Sequence, residues 1–227
     1  MLLTVVALIG QAQQWDFISW HRIEAKGDLT KDLKASVQQQ IRLNRNSTYF
    51  DETFTELGLG YDLPKGFEVE GAYRLSWNQN ENGSFSTGHR YNLDVGYSEK
   101  FWKLKADLRG RFQHAPSIYF FNDRLEPDDS PMFVRLKFSL AYRKLDKLTP
   151  GVEFETFIRL EDPRYAGINK YRYRVFLEFN LPKRQEFEVF YMIQTDYSNT
   201  FPEYQNVVGL KYAYEWKRPK RKKKKDE

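Results

Sequence analysis

The sequence predicts an all-β protein, a transmembrane, antiparallel, up-and-down β-barrel of about 10–12 strands. Three observations carry that expectation. Segments of about ten residues alternate apolar and polar side chains through nearly the whole chain, the period of a strand whose two faces meet different surroundings. Aromatic residues make up 17% of the 227 positions although 30% are charged, and mean hydropathy is −0.73. That combination suits an apolar, aromatic outside around a polar inside. The chain also opens on a short apolar run that reads as an export signal.

That run is Met1-Leu2-Leu3-Thr4-Val5-Val6-Ala7-Leu8-Ile9, followed by Gly10-Gln11-Ala12. Small residues at Gly10 and Ala12 place a cleavage site after Ala12, so residues 1–12 read as a signal peptide, without the usual basic leading segment. The run is too short to span a bilayer as a helix, and no other segment approaches 18 apolar residues, so no transmembrane helix is expected. Residues 13–216 then read as the barrel and residues 217–227 as a basic tail.

Ten segments follow in order. Leu33, Ala35, Val37, Ile41 and Leu43 alternate with Lys34, Ser36, Gln38, Gln40 and Arg42. Thr55 to Leu63 sets Leu57, Leu59 and Tyr61 against Glu56, Gly58, Gly60 and Asp62. Phe67 to Asn78 sets Val69, Tyr73, Leu75 and Trp77 against Glu68, Glu70, Arg74 and Ser76. Tyr91, Leu93, Val95 and Tyr97 alternate with Arg90, Asn92, Asp94 and Gly96. Trp102, Leu104, Leu108 and Phe112 oppose Lys103, Lys105, Asp107, Arg109 and Arg111. Val134, Leu136, Phe138 and Leu140 oppose Arg135, Lys137 and Ser139. Val152, Phe154, Ile158 and Leu160 oppose Glu153, Glu155 and Arg159. Tyr171, Tyr173, Val175, Leu177 and Phe179 oppose Arg172, Arg174 and Glu178. Phe187, Val189, Tyr191 and Ile193 oppose Glu188, Gln194 and Asp196. Val208, Leu210, Tyr212, Tyr214 and Trp216 oppose Gly209, Lys211 and Glu215. A tilted strand of about 9–11 residues crosses a bilayer, and many of these apolar faces end in Tyr or Trp, as an interfacial girdle requires.

The connections alternate too. Tight ones are expected at Leu63 to Gly66, Ser98 to Phe101, Lys144 to Pro150 and Pro182 to Arg184. Longer polar ones are expected at Asn44 to Glu52, Asn78 to Gly88, His114 to Pro131, Glu161 to Lys170 and Asp196 to Gln205. Short turns at one end and longer loops at the other are the arrangement of an outer-membrane barrel. An eleventh segment, residues 15–26, alternates poorly, because Ile18 and Trp20 share a face with Asp16, Arg22 and Glu24. Since bacterial single-chain barrels have even strand numbers, the expectation is ten strands without this segment or twelve with one more. A soluble sandwich or lipocalin-like barrel would show the same period with the faces exchanged. Persistence through some ten strands, and a charged face that mixes Arg with Glu and Asp, favour the membrane.

Gly209, Tyr212, Tyr214 and Trp216 resemble the terminal-strand signal read by the outer-membrane barrel assembly machinery, although here a basic tail follows the strand. More broadly, the chain resembles a Bacteroidota family of outer-membrane β-barrels of unknown function. The residues that carry the resemblance are Trp15-Asp16-Phe17, Gly58-Leu59-Gly60-Tyr61, Gly71-Ala72-Tyr73-Arg74, His89-Arg90 and Arg135-Leu136. It spans nearly the whole mature chain and implies a bacterial outer-membrane location, but no activity.

Composition excludes several classes. There is no Cys, hence no disulfide framework, thiolate metal site, cysteine nucleophile or lipid anchor. The net charge of +5 is concentrated in Lys217 to Lys225, which holds eight basic residues; the remainder is slightly acidic. No nucleic-acid partner is expected, and the tail reads as solvated, with contact to anionic lipid headgroups as the alternative. His21, His89 and His114 lie on separate segments without metal-ligand spacing. Ser76 and His89 could serve a lipid hydrolase only if they shared a face, and alternation puts Ser76 inward and His89 outward. No enzymatic activity and no cofactor are therefore expected. The inward face is the candidate site: Arg74, Arg90, Arg109, Arg111, Arg135, Arg159, Arg172 and Arg174, against Glu68, Glu70, Asp107, Glu153, Glu155 and Glu178. A barrel this small lies near the closed end of the size range, so a charge-paired structural lumen is the first reading. A narrow channel for a small charged solute is the second, with Arg109, Arg111, Arg135 and Lys137 as its basic patch. Outer-membrane lipids, the assembly machinery and a docked envelope protein are the partners this implies.

Overall fold

In a computed structural model of the chain, the described residues are 16–80, 82–116, 130–143, 145, 147–160, 167–197 and 203–217. The expected signal peptide, the loop segment Tyr119 to Asp129 and the tail beyond Lys217 lie outside them. The described residues form eleven strands: β1 (Asp16–Asp28), β2 (Leu33–Asn44), β3 (Tyr49–Asp62), β4 (Phe67–Gln79), β5 (Phe85–Phe101), β6 (Leu104–His114), β7 (Met132–Tyr142), β8 (Leu148–Arg159), β9 (Gly167–Leu181), β10 (Gln185–Asp196) and β11 (Glu203–Trp216). Each pairs antiparallel with its chain neighbour, and the sheet closes on itself.

The closure departs from the even-number expectation. With eleven strands the first and last run in the same direction, so the seam is parallel: β1 pairs with β11 from Asp16↔Gln205 to Gly27↔Trp216. A parallel ladder is slightly weaker per residue than an antiparallel one, but this one runs the length of both strands. β1 is a full barrel strand, and its poor alternation has a physical cause. Ile18 and Trp20 do point inward with Arg22, Glu24 and Lys26, because they pack on Phe176, Phe190, Met192 and Val207 in an apolar cluster inside the barrel wall. A strand whose inward face is apolar at one end and charged at the other defeats a simple face-by-face test.

Everywhere else the two faces are inverted relative to a soluble barrel. Leu57, Leu59, Leu93, Val95, Leu136 and Val175 point outward, and Leu59 is 57% exposed. Arg74, Asp94, Arg111, Arg135, Glu155 and Glu188 point inward and are buried. The soluble alternative, which needs the opposite facing, is thereby excluded. Aromatic pairs sit at both rims of the outer face, Phe67 with Tyr97 (4.9 Å between ring centroids) at one and Phe50 with Phe85 (6.0 Å) at the other, where a girdle belongs.

Some connections are shorter than expected, because charge near a strand end does not by itself break the strand. Ser98, Glu99 and Lys100 continue β5, and the turn is Trp102-Lys103, with Trp102 at φ 55°. Likewise β5 begins at Phe85 and β3 at Tyr49, so those loops shrink to residues 80–84 and 45–48. The turn at Pro64–Gly66 is a short 3-10 element; Gly66 has φ +83°, and a Cβ there would lie 2.5 Å from the Ser98 carbonyl oxygen, so only glycine fits.

Candidate functional site

A cavity of about 930 Å³ runs along the inside of the barrel, reaching from Lys34 and Glu68 near the short-turn end to Asn44, Asp51 and Phe133 near the long-loop end. Alternation puts the charged residues of most strands on the inward face, and neighbouring strands bring many of them within ion-pair distance. Arg74 Nε donates to Glu56 Oε2 at 2.7 Å. Arg111 grips Asp94 with both arms of its fork, Nε to Oδ1 and Nη2 to Oδ2, each at 2.6 Å. Arg42 donates to Glu52 at 2.5 Å. Glu155 is a hub: Arg109 donates to Oε1 at 2.7 Å, Arg135 to both oxygens at 2.9 Å, and Arg172 Nη1 stands 3.6 Å from Oε2. Glu153 accepts from Lys137 at 3.2 Å and from Arg174, which also reaches Glu188. Bidentate guanidinium–carboxylate contact is the geometry Arg serves better than Lys.

Aromatic faces hold several of these guanidiniums flat. Arg74 lies over Phe54 (Cζ 3.5 Å from the centroid) and Arg42 over Trp20 (4.2 Å). Arg172 lies between Trp20 (5.3 Å) and Phe157 (4.6 Å), and Arg135 over the other part of Phe157 (4.3 Å). The result is an alternating ladder, Arg74–Phe54–Arg42–Trp20–Arg172–Phe157–Arg135, that crosses from β4 through β1 to β7. Each step contributes about 0.5–2 kcal/mol, more where water is excluded.

Of the residues expected in the lumen, Arg74, Arg90, Arg109, Arg111, Arg135, Arg172, Arg174, Glu68, Glu70, Glu153 and Glu155 line the cavity. Arg159, Asp107 and Glu178 do not border that cavity. They occupy the inward register at the ends of their strands, where the barrel opens. Asp107 there is held by Lys105 at 2.7 Å, Glu178 sits opposite Glu188, and Arg159 sits opposite Phe133. Sequence reasoning left out Arg22, Arg42, Glu56 and Trp20. Alternation alone could have supplied Arg42 and Glu56; the mixed face of β1 hid Trp20 and Arg22.

The remaining sequence candidates separate. Ser76 faces inward and donates to the Gly88 carbonyl oxygen at 3.4 Å, whereas the His89 ring pairs with the Tyr73 hydroxyl at 2.7 Å on the outer face. In the terminal strand, Tyr212, Tyr214 and Trp216 share the outer face. Gly209 faces inward beneath the Phe190 ring, where a Cβ would lie 2.0 Å from Cζ; a packing demand thus accounts for the glycine.

With the barrel and its interior in view, the sequence can be placed among known proteins. A model of a family described as a protein of unknown function, DUF2490, matches residues 17–206. The chain belongs to the DUF2490 family. The match runs from the first residues of β1 to the first of β11. No curated protein matches the sequence. Among solved structures, this DUF2490 barrel is similar to the NanC porin, with 12% identity and a TM-score of 0.50 over 78% of this chain and 86% of that one. It is also similar to the β-domain of the Bordetella autotransporter Brka, with 10% identity and a TM-score of 0.43 over 78% and 81%. The likeness to NanC is one of fold.

Proposed function

We propose that this DUF2490 protein is an outer-membrane β-barrel of the bacterial envelope with a narrow, charge-braced lumen and a structural or accessory role that involves no catalysis. One observation carries the reading: an apolar outer face surrounds an inner face on which arginines and carboxylates neutralise one another. An apolar wall of this extent would be costly in water and is what the hydrocarbon of a bilayer requires. Inside, charges removed from bulk water are tolerable when paired, and the pairs brace strands that lie far apart in sequence. The opposed facing of Ser76 and His89 supports the non-catalytic part.

A second reading, a channel for small charged solutes, is favoured by the cavity that extends between the two ends of the barrel. Planar-bilayer recording separates the two. The braced-lumen reading expects little or no conductance from the wild type and a leak in Arg135→Ala, which frees Gln113 and loosens Glu155. A large, stable wild-type conductance would overturn it in favour of the channel. Membrane fractionation and heat-modifiable gel migration test the location; recovery as a soluble protein without detergent would contradict it.

A further inference from the structure

The pairing inside the lumen is incomplete. Several cross-strand positions place like charges directly opposite one another; among the arginines, Arg74 faces Arg90 on β4 and β5, and Arg111 faces Arg135 on β6 and β7. Such pairs are destabilising unless opposite charge lies between them. For Arg111 and Arg135 it does, in Asp94 and Glu155. Arg74 takes Glu56, whose Oε2 also accepts from Asn92 at 3.2 Å, and Arg42 takes Glu52. No described carboxylate lies within ion-pair distance of Arg90. Among the described residues it makes no hydrogen bond or ion pair, and its Nε is buried without a partner. Arg22 donates, among the described residues, only to the neutral Gln40, at 2.9 Å, and Arg172 is a further deficient cation. Its one hydrogen bond runs from Nε to the neutral Gln194 Oε1 at 2.7 Å, and it stands 3.6 Å from a Glu155 oxygen that already serves Arg135.

Both side chains line the cavity, and Arg172 lies within electrostatic reach of Arg90, Arg135 and Arg42. Trp20 and Phe157 hold the Arg172 guanidinium flat, so little rotational freedom would be lost when its N–H edge meets a ligand.

We infer that Arg90 and Arg172 form an oxyanion-binding site in the lumen, for the carboxylate or phosphate group of a small anionic solute. The chemistry follows from the unused donors. A guanidinium presents a planar fork that matches two oxygens of a carboxylate or phosphate. Two such forks short of counter-charge, in a confined interior, favour an anion over water alone. The inference deepens the barrel reading and rests on it, since it assumes a folded barrel whose cavity solutes can enter.

The test is equilibrium binding to the folded, full-length protein in detergent micelles, which needs no conductance and so fails independently of the channel and membrane measurements. Inorganic phosphate and malonate are titrated separately at constant ionic strength set with chloride, and Trp20 beside Arg172 provides a fluorescence signal. Saturable binding of either probe is expected, and which one binds more tightly identifies the source of the oxyanion. Arg90→Gln and Arg172→Gln should each weaken it by about 10- to 100-fold, the range for one charge-assisted hydrogen bond. Lys34→Gln, which removes an inward cation paired with Asp62 at the far end, should leave it unchanged. Arg90 has no partner to lose, so its variant should keep heat-modifiable migration; Arg172→Lys serves as a second folded variant that keeps the charge and loses the fork. A response to phosphate and malonate no different from chloride, or wild-type affinity in folded Arg90→Gln and Arg172→Lys, would overturn the inference.

Discussion

Replacing Glu155 with Gln keeps the shape of the side chain and removes the charge on which three arginines converge. Arg109 retains a weak contact with Asp94 at 3.9 Å, and Arg135 retains the neutral Gln113 at 2.9 Å. Arg172 retains only Gln194. Glu155 and Arg135 are both buried, with side chains 8% and 9% exposed. Breaking a buried pair and stranding its partners costs about 3–5 kcal/mol, and the open cavity alongside puts this case at the lower end of that range. Asp62→Asn provides the comparison. It removes a contact of similar length to Lys34, 2.6 Å, but the two side chains are 37% and 40% exposed, so solvent screening keeps the loss below about 1 kcal/mol. Urea titration of the barrel folded into lipid vesicles, followed by loss of the fast-migrating band, measures both. In a Glu155→Gln/Arg172→Gln double variant part of the loss should return, because one stranded cation has gone. Equal stability losses for Glu155→Gln and Asp62→Asn would show that the lumen is hydrated well enough to make its ion pairs unimportant, and the bracing argument would fail.

Two further outcomes follow from packing and facing. Leu57→Arg puts a charge on the outer face near the middle of β3 and should cost about 2–4 kcal/mol of folding into a bilayer, while leaving solubility in detergent intact; an unchanged urea midpoint would show that this face does not meet lipid. Gly209→Ala should cost about 1–3 kcal/mol through overpacking against Phe190. The companion change Phe190→Leu should recover part of that loss in the same assay, and no recovery would assign the glycine to some other demand.

The two-residue period in β2 to β11 was legible from sequence because most outward positions are apolar and the charged residues share the other face, although Phe54, Phe157, Phe176, Phe190 and Val207 also face inward. That regularity put Arg74, Arg111, Arg135 and Glu155 on the polar face of the sheet without coordinates. What the period could not supply was its phase, since an apolar face turned in or out reads the same, and it could not supply partners. That Glu155 serves three arginines while Arg90 has none depends on the stagger between strands that are 46 residues apart in the chain for Arg109 and Glu155. β1 was obscured for a different reason. Its inward residues change from Ile18 and Trp20 to Arg22 and Glu24 along a single strand, so the closing parallel seam with β11 left no two-faced pattern to find.

The facing of the wall is the claim on which the rest depends, and the absence of Cys makes it directly measurable. Single cysteines placed at each position from Ala35 to Ile41 on β2, a stretch without a charged residue, can be labelled with a fluorophore in the barrel reconstituted into vesicles that contain brominated lipid. Lipid quenching should alternate, strong at Ala35, Val37, Gln39 and Ile41 and weak at Ser36, Gln38 and Gln40. Quenching in the opposite phase, or none at any of the seven positions, would contradict a barrel with its apolar face turned to the bilayer.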